Sequence, residues 1–233
     1  MIDDENLNKE KLLNQSFIFK ALDDQEKREL AAFAQIKRYD AGDIIFNMGA
    51  PGHSMMAIAE GIVRVEMPTI GGRDVTLTEL RTRDVFGEIA LLDGGERSAS
   101  IRAITNCTLV VLERRSLLVV LQRNAKLSIK LIELLCKRVR RSDERMVEIA
   151  FLDLPSRLAR VLLRLTVAPP GSADKPLSRL SQSQSEIAKM IGNTRENVNR
   201  CLRKWQHAQL VELKDGWLIV RDRAGLEKLA EGE

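Results

Sequence analysis

The stretch from Phe86 to Ala99, F-G-E-I-A-L-L-D-G-G-E-R-S-A, concentrates residue types that bind anions and hydroxyl groups. Glycine lets a backbone approach a ligand closely, and the N–H groups of a turn form an anion-binding concavity. Arg97 can hold two phosphate oxygens with its planar guanidinium, and Ser98 adds a hydroxyl donor. Glu88 only accepts hydrogen bonds, so it suits a sugar hydroxyl. The combination predicts a tight loop that binds a nucleotide; a solvated surface turn is the alternative.

A second group of polar residues predicts two short helices joined by a glycine turn. Ser183 can cap the first helix, with Glu186 three residues later as its capping-box partner. Gly192 ends that helix, and Thr194 caps a second one, predicted to run from Arg195 to Gln209. Two helices in this arrangement form a helix-turn-helix.

The second of these helices presents side chains that can read base edges. Recognition helices contact bases from their N-terminal residues; arginine suits guanine, and glutamate accepts from cytosine N4. The outward face carries Arg195, Glu196, Asn199 and Arg200, with Ser183 and Gln184 in a polar cluster ahead of it. The pattern predicts binding of double-stranded DNA. The alternative, two packed helices with a solvated charged face, predicts no particular order of charges.

The elements around the first stretch are predicted to be β-strands. From Ile36 to Leu112, short apolar runs alternate with glycine turns, and strands at this spacing indicate a sandwich or barrel. The segment from Val63 to Met67 alternates apolar residues with Arg64 and Glu66, the period of a half-buried strand. A short leading helix is predicted from a cap at Asp23 to about Gln35.

A helical region is predicted from Leu117 to Leu152. Its apolar residues follow the 3-4 spacing of a coiled-coil seam, which favours a dimer over an amphipathic helix packed on its own barrel. The seam consists of Ile132, Leu135, Val139, Ser142, Met146 and Ile149. Ser142 is its polar member, and a polar seam residue sets register or faces a bound ligand.

A second domain is predicted after a hinge at Phe151 to Pro155, because Pro155 disfavours helical geometry at Leu154. A helix from Ser156 to Leu165 opens it, and Ala168 to Pro176 is a loop by composition. Gly216 turns a hairpin that would form the wing of a winged helix, with strands at 210–213 and 217–220.

Charge and composition narrow the function classes. From Pro155 onward, 14 Lys and Arg face 9 Asp and Glu, a net charge of +5, whereas residues 1–154 carry −1. A basic second half indicates a polyanion partner. The three widely spaced cysteines indicate reduced thiols, and no apolar run is long enough to span a membrane, so we expect a cytoplasmic protein without membrane contact. No nucleophile–base pair or metal-spaced cluster appears, so we expect neither an enzyme nor a metal site.

From about residue 17 to 222, the chain resembles the cyclic-AMP receptor / fumarate-nitrate regulator (CRP/FNR) family of bacterial transcription factors. F-G-E-I-A-L-L with E-R-S-A is similar to the family's phosphate-binding cassette, and A-F-L-D at 150–153 to its hinge. T-R-E-N-V-N-R at 194–200 is similar to its recognition helix in the branch that reads a TGTGA-type half-site.

The resemblance implies a role for each matching residue. Glu88 would meet the ribose 2′-hydroxyl, and Arg97 with Ser98 would hold the cyclic phosphate of cyclic AMP or cyclic GMP. Ser142 would touch the purine, and Asp143 would reach it from the partner subunit. The full implied ligand set is Gly87, Glu88, Ile89, Arg97, Ser98, Ala99, Arg138, Ser142 and Asp143.

Two departures and several branches of the family bear on the effector. Ser142 stands where the family has threonine, and Asp143 replaces a neutral serine, which brings a charge near the base. An iron–sulfur cluster is not expected, because the first cysteine is Cys107 rather than an N-terminal cluster. Haem is not expected either, because His53 lies alone in a turn.

These patterns together predict an α+β chain. Residues 1–116 would form a leading helix and a cyclic-nucleotide-binding β-roll of jelly-roll type; 117–153 would form the dimerisation helix and hinge, and 154–233 the winged helix-turn-helix. The expected function is a homodimeric DNA-binding regulator, paired through the 126–152 helix, allosterically activated by a cyclic purine nucleotide. The resemblance alone implies that RNA polymerase contacts the 168–176 loop. The rivals are a ligand-independent regulator with a relic pocket and a nucleotide-binding regulatory subunit of a partner enzyme.

Overall fold

The computed structural model describes residues 2–16, 18–69, 74–166, 179–180, 182–214 and 217–232. Two compact units form within this part of the chain. The first contains the described residues of 1–72 and 77–139, and the second those of 73–76 and 140–233. The predicted division at residues 116 and 153 stays a prediction.

Two helices precede the strands. They are α1 (Ile2–Gln15) and α2 (Asp24–Phe33), with one 3-10 turn at Phe19–Ala21 between them. The predicted cap of α2 is confirmed, because Asp23 accepts from the Glu26 N–H at 2.8 Å and Glu26 accepts from the Asp23 N–H at 2.9 Å. The helix ends at Phe33 rather than near Gln35, since Gln35 opens the first strand. The sequence patterns did not predict α1.

The described residues include two four-stranded sheets that form the predicted β-roll. The sheets have strand orders β1-β8-β3-β6 and β2-β7-β4-β5. The strands are β1 (Gln35–Tyr39), β2 (Ile44–Phe46), β3 (Ser54–Glu60), β4 (Ile62–Pro68), β5 (Asp74–Arg81), β6 (Val85–Phe86), β7 (Ser100–Ala103) and β8 (Cys107–Glu113).

The central strand β3 is buried on both faces. Met55 and Ala57 belong to the core that includes the leading helices, whereas Met56 and Ile58 belong to the core shared by strands of both sheets. Alternate residues of a strand point to opposite faces, so one strand serves both cores. Phe86, the first residue of the cassette, lies in the second core, which fixes where the cassette begins.

Strand β4 differs from the predicted half-buried pattern. Arg64 and Glu66 are buried, and Met67, predicted to face inward, is exposed. Neighbouring strands supply counter-charges: Arg64 donates to Glu79 at 2.9 Å, and Arg102 donates to Glu66 at 3.3 Å. Buried charges are tolerated when they are paired, so alternation of residue types did not reveal which face is covered.

Two further predictions about helices need correction. The cassette is not only a tight loop, because Glu88–Asp93 forms a short helix, α3. The region after β8 is not one helix, because α4 (Arg114–Arg123) and α5 (Ala125–Phe151) are separated at Asn124. The Asn124 side chain accepts from the Leu127 N–H at 2.8 Å, the cap that starts α5.

The second unit contains the predicted winged helix-turn-helix. Its sheet has strand order β10-β11-β9. The elements after α5 are α6 (Leu154–Leu165), β9 (Arg179–Leu180), α7 (Gln184–Ile191), α8 (Arg195–His207), β10 (Val211–Lys214), β11 (Trp217–Val220) and α9 (Arg223–Glu231). α9, which the sequence patterns did not predict, is tied to α6 by a hydrogen bond from Arg160 to the Ala230 carbonyl at 2.9 Å.

Within the predicted hinge segment, the helix is interrupted at Leu152 and Asp153, and the helix that follows begins earlier than predicted. Leu154 is already helical, because Pro155 sits in the first turn, where its missing N–H breaks no helical bond. Asp153 caps the helix by accepting from the Ser156 N–H at 2.9 Å. The loop predicted at 168–176 and the turn residue Gly216 lie outside the described residues.

Candidate ligand pocket and nucleic-acid interface

Gly87 joins β6 to α3 and fixes the geometry of the cassette. Its φ of +80° lies in the left-handed region, which residues with a Cβ rarely adopt. A Cβ at this position would lie 2.6 Å from Arg97 Nη1 and 3.0 Å from the Ser54 carbonyl oxygen. Glycine therefore lets the backbone make its turn and lets Arg97 pack directly against it.

Arg97 is buried and held rigidly. Nη1 donates to the carbonyl oxygens of Ser54 at 2.7 Å and Gly87 at 3.1 Å, and Nη2 donates to Ser54 Oγ at 2.9 Å. The guanidinium carbon lies 4.2 Å from the centre of the Phe46 ring, in cation–π geometry. Burial lowers the pKa of Arg97 and the nearby Glu88 carboxylate opposes that shift, so the side chain keeps its charge.

One edge of the Arg97 guanidinium remains without partners. A guanidinium has five N–H donors, and three are used in the contacts to Ser54 and Gly87. Nε is buried and has no hydrogen-bond partner within the described part of the chain. Nε and Nη2 thus retain one free N–H each, and these two donors lie side by side. Such a fork matches two oxygens of one phosphate.

Glu88 is the acceptor beside this fork. Its side chain is fully buried, and Oε1 accepts from Arg138 Nη1. Arg138 reaches the cassette from α5, and its Nη2 donates to the Val85 carbonyl oxygen at 2.6 Å. Glu88 Oε2 is also buried, and no described residue donates to it. A charged oxygen without a partner is costly in a protein interior, so this position favours a bound hydroxyl group.

The pocket therefore combines one unpaired buried acceptor, Glu88 Oε2, with one unpaired buried donor, Arg97 Nε, beside the remaining N–H of Arg97 Nη2. A ligand that carries both a hydroxyl group and an anionic phosphate would satisfy all three. Ribose with a cyclic phosphate has both groups close together. The residues present fit such a nucleotide, and the fit rests on Glu88 Oε2 and on Nε and Nη2 of Arg97.

The other cassette residues surround these charged groups. Ser98 is exposed and follows Arg97 directly, Ala99 is buried, and Ile89 is partly exposed on α3. Sequence reasoning missed Ser54 and Phe46, which hold Arg97 from β3 and β2. No local motif marks either residue, because their contact with Arg97 depends on the folding of the sheets.

Ser142 and Asp143 lie on the same helix as Arg138, one turn further along. Arg138 belongs to the first unit and contacts the cassette, whereas Ser142 and Asp143 belong to the second unit. Both side chains are exposed. The structure thus brings Glu88, Arg97 and Arg138 together within one unit, and the roles of Ser142 and Asp143 stay predictions.

The predicted seam of α5 is an exposed apolar stripe. Ile132, Val139, Met146 and Ile149 are between 58% and 67% exposed, although each is a large apolar residue. In the part of α5 that belongs to the first unit, Leu127 is fully buried. An apolar row with a 3-4 spacing that its own chain leaves uncovered is typical of a surface that pairs with another helix.

The helix-turn-helix is built by the predicted caps. Ser183 Oγ accepts from the Glu186 N–H at 3.2 Å, and Gly192 ends α7 with φ +63°. Thr194 Oγ1 accepts from the Asn197 N–H at 3.2 Å and starts α8. Asn193 Oδ1 adds bonds at 2.8 Å to the Thr194 N–H and 2.9 Å to the Asn197 amide.

The outward face of α8 carries the predicted base-reading side chains. Arg195, Glu196 and Arg200 are exposed, Asn199 is half-buried, and Gln184 on α7 is half-buried near the start of its helix. The inward face carries Val198, Cys201, Leu202 and Trp205, all buried. Burial raises the pKa of Cys201 to about 11, so this thiol stays neutral and packs as an apolar residue.

Among the described residues, no group of three or more His, Cys, Asp and Glu side chains is arranged to hold a metal ion. None of the described helices is both long enough and apolar enough to cross a membrane.

Comparison with known proteins assigns both units. Residues 36–124 match the family model of the cyclic nucleotide-binding domain, and residues 156–229 match that of the Crp-like helix-turn-helix domain. The first range contains the whole cassette, and the second contains both helices of the helix-turn-helix.

Individual relatives extend the match over almost the whole chain. The cyclic AMP receptor protein of Thermus thermophilus is 33% identical over 215 residues, which cover 92% of this chain and 97% of that protein. The CRP-like cAMP-activated global transcriptional regulator of Mycobacterium tuberculosis is 27% identical and covers 95% and 99%.

A solved structure shares the fold. It is described as the c-di-GMP-responsive global regulator CLP of Xanthomonas campestris, has a TM-score of 0.77 and 22% identity, and covers 86% of this chain and 100% of that chain. The Mycobacterium and Xanthomonas proteins are named as regulators, and the Thermus protein is named as a receptor protein. With its cyclic nucleotide-binding domain and its Crp-like helix-turn-helix, the chain belongs to the CRP/FNR family of DNA-binding transcription regulators.

Proposed function

We propose that the protein is a homodimeric regulator that reads a near-palindromic, TGTGA-like DNA site and is activated by a cyclic purine nucleotide, namely cyclic AMP. The observation that carries the proposal is the set of unsatisfied buried groups, Glu88 Oε2 and Arg97 Nε. The names of two relatives, a cyclic AMP receptor protein and a cAMP-activated regulator, support the choice of nucleotide.

In the proposed complex, each cassette residue has a separate task. Glu88 Oε2 would accept from the ribose 2′-hydroxyl, and the Nε–Nη2 edge of Arg97 would hold the cyclic phosphate with Ser98 as a further donor. Gly87, Ile89 and Ala99 would contribute backbone groups. Arg138 would keep Glu88 oriented through the ion pair that it already makes.

The proposed dimer forms along α5. Two parallel copies of the helix would bury the apolar stripe of each chain against the other, which removes large exposed side chains from water. The polar seam residue Ser142 would then face the purine next to the interface. A ligand that contacts the seam and the cassette at once would favour one arrangement of the helices.

The proposed mechanism is a shift between two arrangements of the dimer. The nucleotide must bind the active arrangement more tightly, because a ligand with equal affinity for both shifts nothing. In the active arrangement, both α8 helices would enter successive major grooves, with half-sites about one helical turn apart. Arg195, Glu196 and Arg200 would read bases, with Thr194, Asn199, Ser183 and Gln184 beside them.

The remaining partners follow from the family. We propose RNA polymerase as a protein partner; the segment assigned to that contact, 168–176, lies outside the described residues. We also propose that the protein acts in the cytoplasm, without catalytic activity, metal, haem or iron–sulfur cluster.

Calorimetry tests the effector. The protein is titrated with cyclic AMP, cyclic GMP and c-di-GMP, and the same titrations are repeated with Glu88→Gln. A hydrogen bond to a charged group contributes about 1.5–3 kcal/mol, so we expect Glu88→Gln to weaken cyclic AMP binding about 10- to 100-fold. Glu96→Gln is the matched control, because Glu96 is an exposed carboxylate in the same segment.

The outcomes separate the alternatives. Cyclic AMP binding that Glu88→Gln weakens and Glu96→Gln leaves unchanged supports the pocket. Tighter binding of c-di-GMP than of cyclic AMP would reject the choice of effector, and no binding of any of the three would indicate a relic pocket.

A further inference from the structure

The seam assigns each residue of α5 a position in a parallel coiled coil. With Ile132, Val139 and Met146 as a residues and Ser142 as a d residue, a g residue of one helix faces the e residue five positions later on the other. Three such pairs span the helix: Leu131 with Cys136, Arg138 with Asp143, and Arg145 with Ala150. Only the middle pair joins opposite charges.

Arg138 lies where the pocket borders the seam. Leu131, one heptad earlier, is buried in the core of the first unit, so the g positions lie at the edge of the packed side of the helix. The Arg138 guanidinium donates once to Glu88 and once to the Val85 carbonyl oxygen, which uses two of its five N–H groups. Its side chain keeps 29% of its surface exposed, so a second carboxylate can reach it.

Asp143 is a carboxylate without an ion-pair partner among the described residues of its own chain. Its side chain is exposed, and the structure shows no ion pair between it and any described residue. Arg140, a cation one turn earlier on the same helix, is exposed and makes no ion pair with it. Asp143 is therefore available to a charge on another chain.

We propose that Asp143 is a positioning residue that acts in trans: in the dimer, its carboxylate pairs with Arg138 of the partner subunit. The Arg138 guanidinium also donates to Glu88, the carboxylate that is proposed to bind the ligand. Each pocket is then completed by the other chain, and a change in helix register breaks the pair and alters the support of Glu88. The inference rests on the proposed dimer and deepens it.

This role differs from a direct contact between Asp143 and the purine. A carboxylate that binds the base would discriminate between the adenine amino group and the guanine N1 and N2 groups. A carboxylate that binds the partner subunit's Arg138 does not touch the base. The two roles therefore make opposite predictions for the ratio of cyclic AMP to cyclic GMP affinity and for the dimer without nucleotide.

Mixing two variants tests the pair. Homodimers of Arg138→Gln and homodimers of Asp143→Asn each contain no intact pair. A heterodimer of the two contains one, because the Asp143→Asn chain supplies arginine and the Arg138→Gln chain supplies aspartate. The variants, one of them with an affinity tag that changes its mass, are mixed without nucleotide, and native mass spectrometry counts the three dimers.

We expect heterodimers to make up about 60–85% of the mixture rather than the statistical half, since an exposed ion pair contributes about 0.2–1 kcal/mol. Arg138→Gln mixed with Glu144→Gln is the control and should stay at one half, because Glu144 is the neighbouring acid on the outer side of the helix. A statistical Asp143→Asn mixture would overturn the proposal.

A second measurement needs only Asp143→Asn, in case Arg138→Gln fails to fold. The dissociation constant of the wild-type dimer should rise with salt more steeply than that of Asp143→Asn. Asp143→Asn should also shift cyclic AMP and cyclic GMP affinities by the same factor. A changed ratio with an unchanged dimer would place Asp143 on the base, and a monomeric wild-type protein would instead reject the proposed dimer itself.

Discussion

The two units of the protein use charged side chains in opposite ways. In the cassette, Glu88 and Arg97 are almost completely buried, and several of their hydrogen-bonding groups have no partner among the described residues. On the recognition helix, Arg195 and Arg200 are exposed to solvent. The first arrangement is rigid and incomplete, whereas the second is solvated.

The difference reflects the size of the two ligands. A small nucleotide can be enclosed, so each buried polar group can be matched to one ligand atom, and an unmatched group is heavily penalised. DNA is too large to be enclosed and binds to the surface of the protein. Its phosphates attract exposed cations, and this attraction weakens as the salt concentration rises. The ligand affinity of the cassette is therefore expected to depend strongly on single atoms, whereas the DNA affinity of the recognition helix should change in smaller steps as contacts are removed.

Gly87→Ala should cause the largest loss of nucleotide binding by the cassette. A methyl group at this position would lie 2.6 Å from Arg97 Nη1, so the guanidinium must leave the place in which its free edge faces the ligand. We expect a loss of at least about tenfold in cyclic AMP affinity, as for the loss of one charge-assisted hydrogen bond. Calorimetry measures the affinity, and thermal unfolding measures stability.

Gly94→Ala controls for backbone strain. Gly94 has nearly the same left-handed conformation, φ +77°, but its nearest neighbour to a new Cβ is Arg114 Nη2 at 3.5 Å, an ordinary contact. Both variants should lose about 1–2 kcal/mol of stability from the strain. Equal cyclic AMP affinity in the two variants would mean that Arg97 does not face the ligand.

The recognition helix could be predicted in more detail than the pocket, because its determinants are local. The caps Ser183 and Thr194 bond to groups three residues away, so the sequence alone marks where α7 and α8 begin. The cassette motif likewise marks Glu88 and Arg97. The residues that hold these side chains in place could not be predicted from the motif. Ser54, for example, is 43 residues from Arg97 in the sequence and contacts it only after the strands have paired.

The sheets show a second limit of sequence reasoning. The alternation in β4 was correct in period and wrong in burial, because Arg64 and Glu66 find partners on neighbouring strands. A charge in a strand indicates exposure only when no counter-charge lies beside it. Which residues lie beside it depends on strand order, which no local pattern contains.

Arg200→Ala tests an exposed charge on the recognition helix. We expect a loss of about 1–3 kcal/mol in binding to the proposed palindromic site and a smaller loss on random duplex DNA, because a base contact is sequence-specific. Fluorescence anisotropy at several salt concentrations measures both affinities and their salt dependence.

Lys228→Ala provides the control for charge alone, since Lys228 is an exposed cation on α9 of the same unit. It should leave the ratio of specific to random binding unchanged. If Arg200→Ala reduced binding to both kinds of DNA equally, Arg200 would be a phosphate contact, and the recognition face would be less specific than proposed.

Glu148 on α5 is an intermediate case, because this mostly buried carboxylate pairs with arginines that are partly exposed. It lies 3.6 Å from Arg160 Nη1 and 3.4 Å from Arg164 Nη1, both on α6 across the hinge. Burial and the adjacent Arg164 lower the pKa of Arg145, and Glu148 opposes that shift. Without this carboxylate, three guanidinium groups would repel one another.

Glu148→Gln should therefore loosen the connection between α5 and α6. The arginines are about half exposed, so we expect a loss of about 1 kcal/mol or less in the free energy of unfolding, smaller at high salt. Chemical denaturation measures this loss, with Glu133→Gln as the control because Glu133 pairs within α5, with Lys130 at 2.8 Å. If both variants lost equal stability, the charge across the hinge would add nothing to an ordinary surface pair. If only Glu148→Gln lost stability, and if cyclic AMP also stimulated its DNA binding less than that of the wild type, the ion pairs between α5 and α6 would contribute to the response to nucleotide.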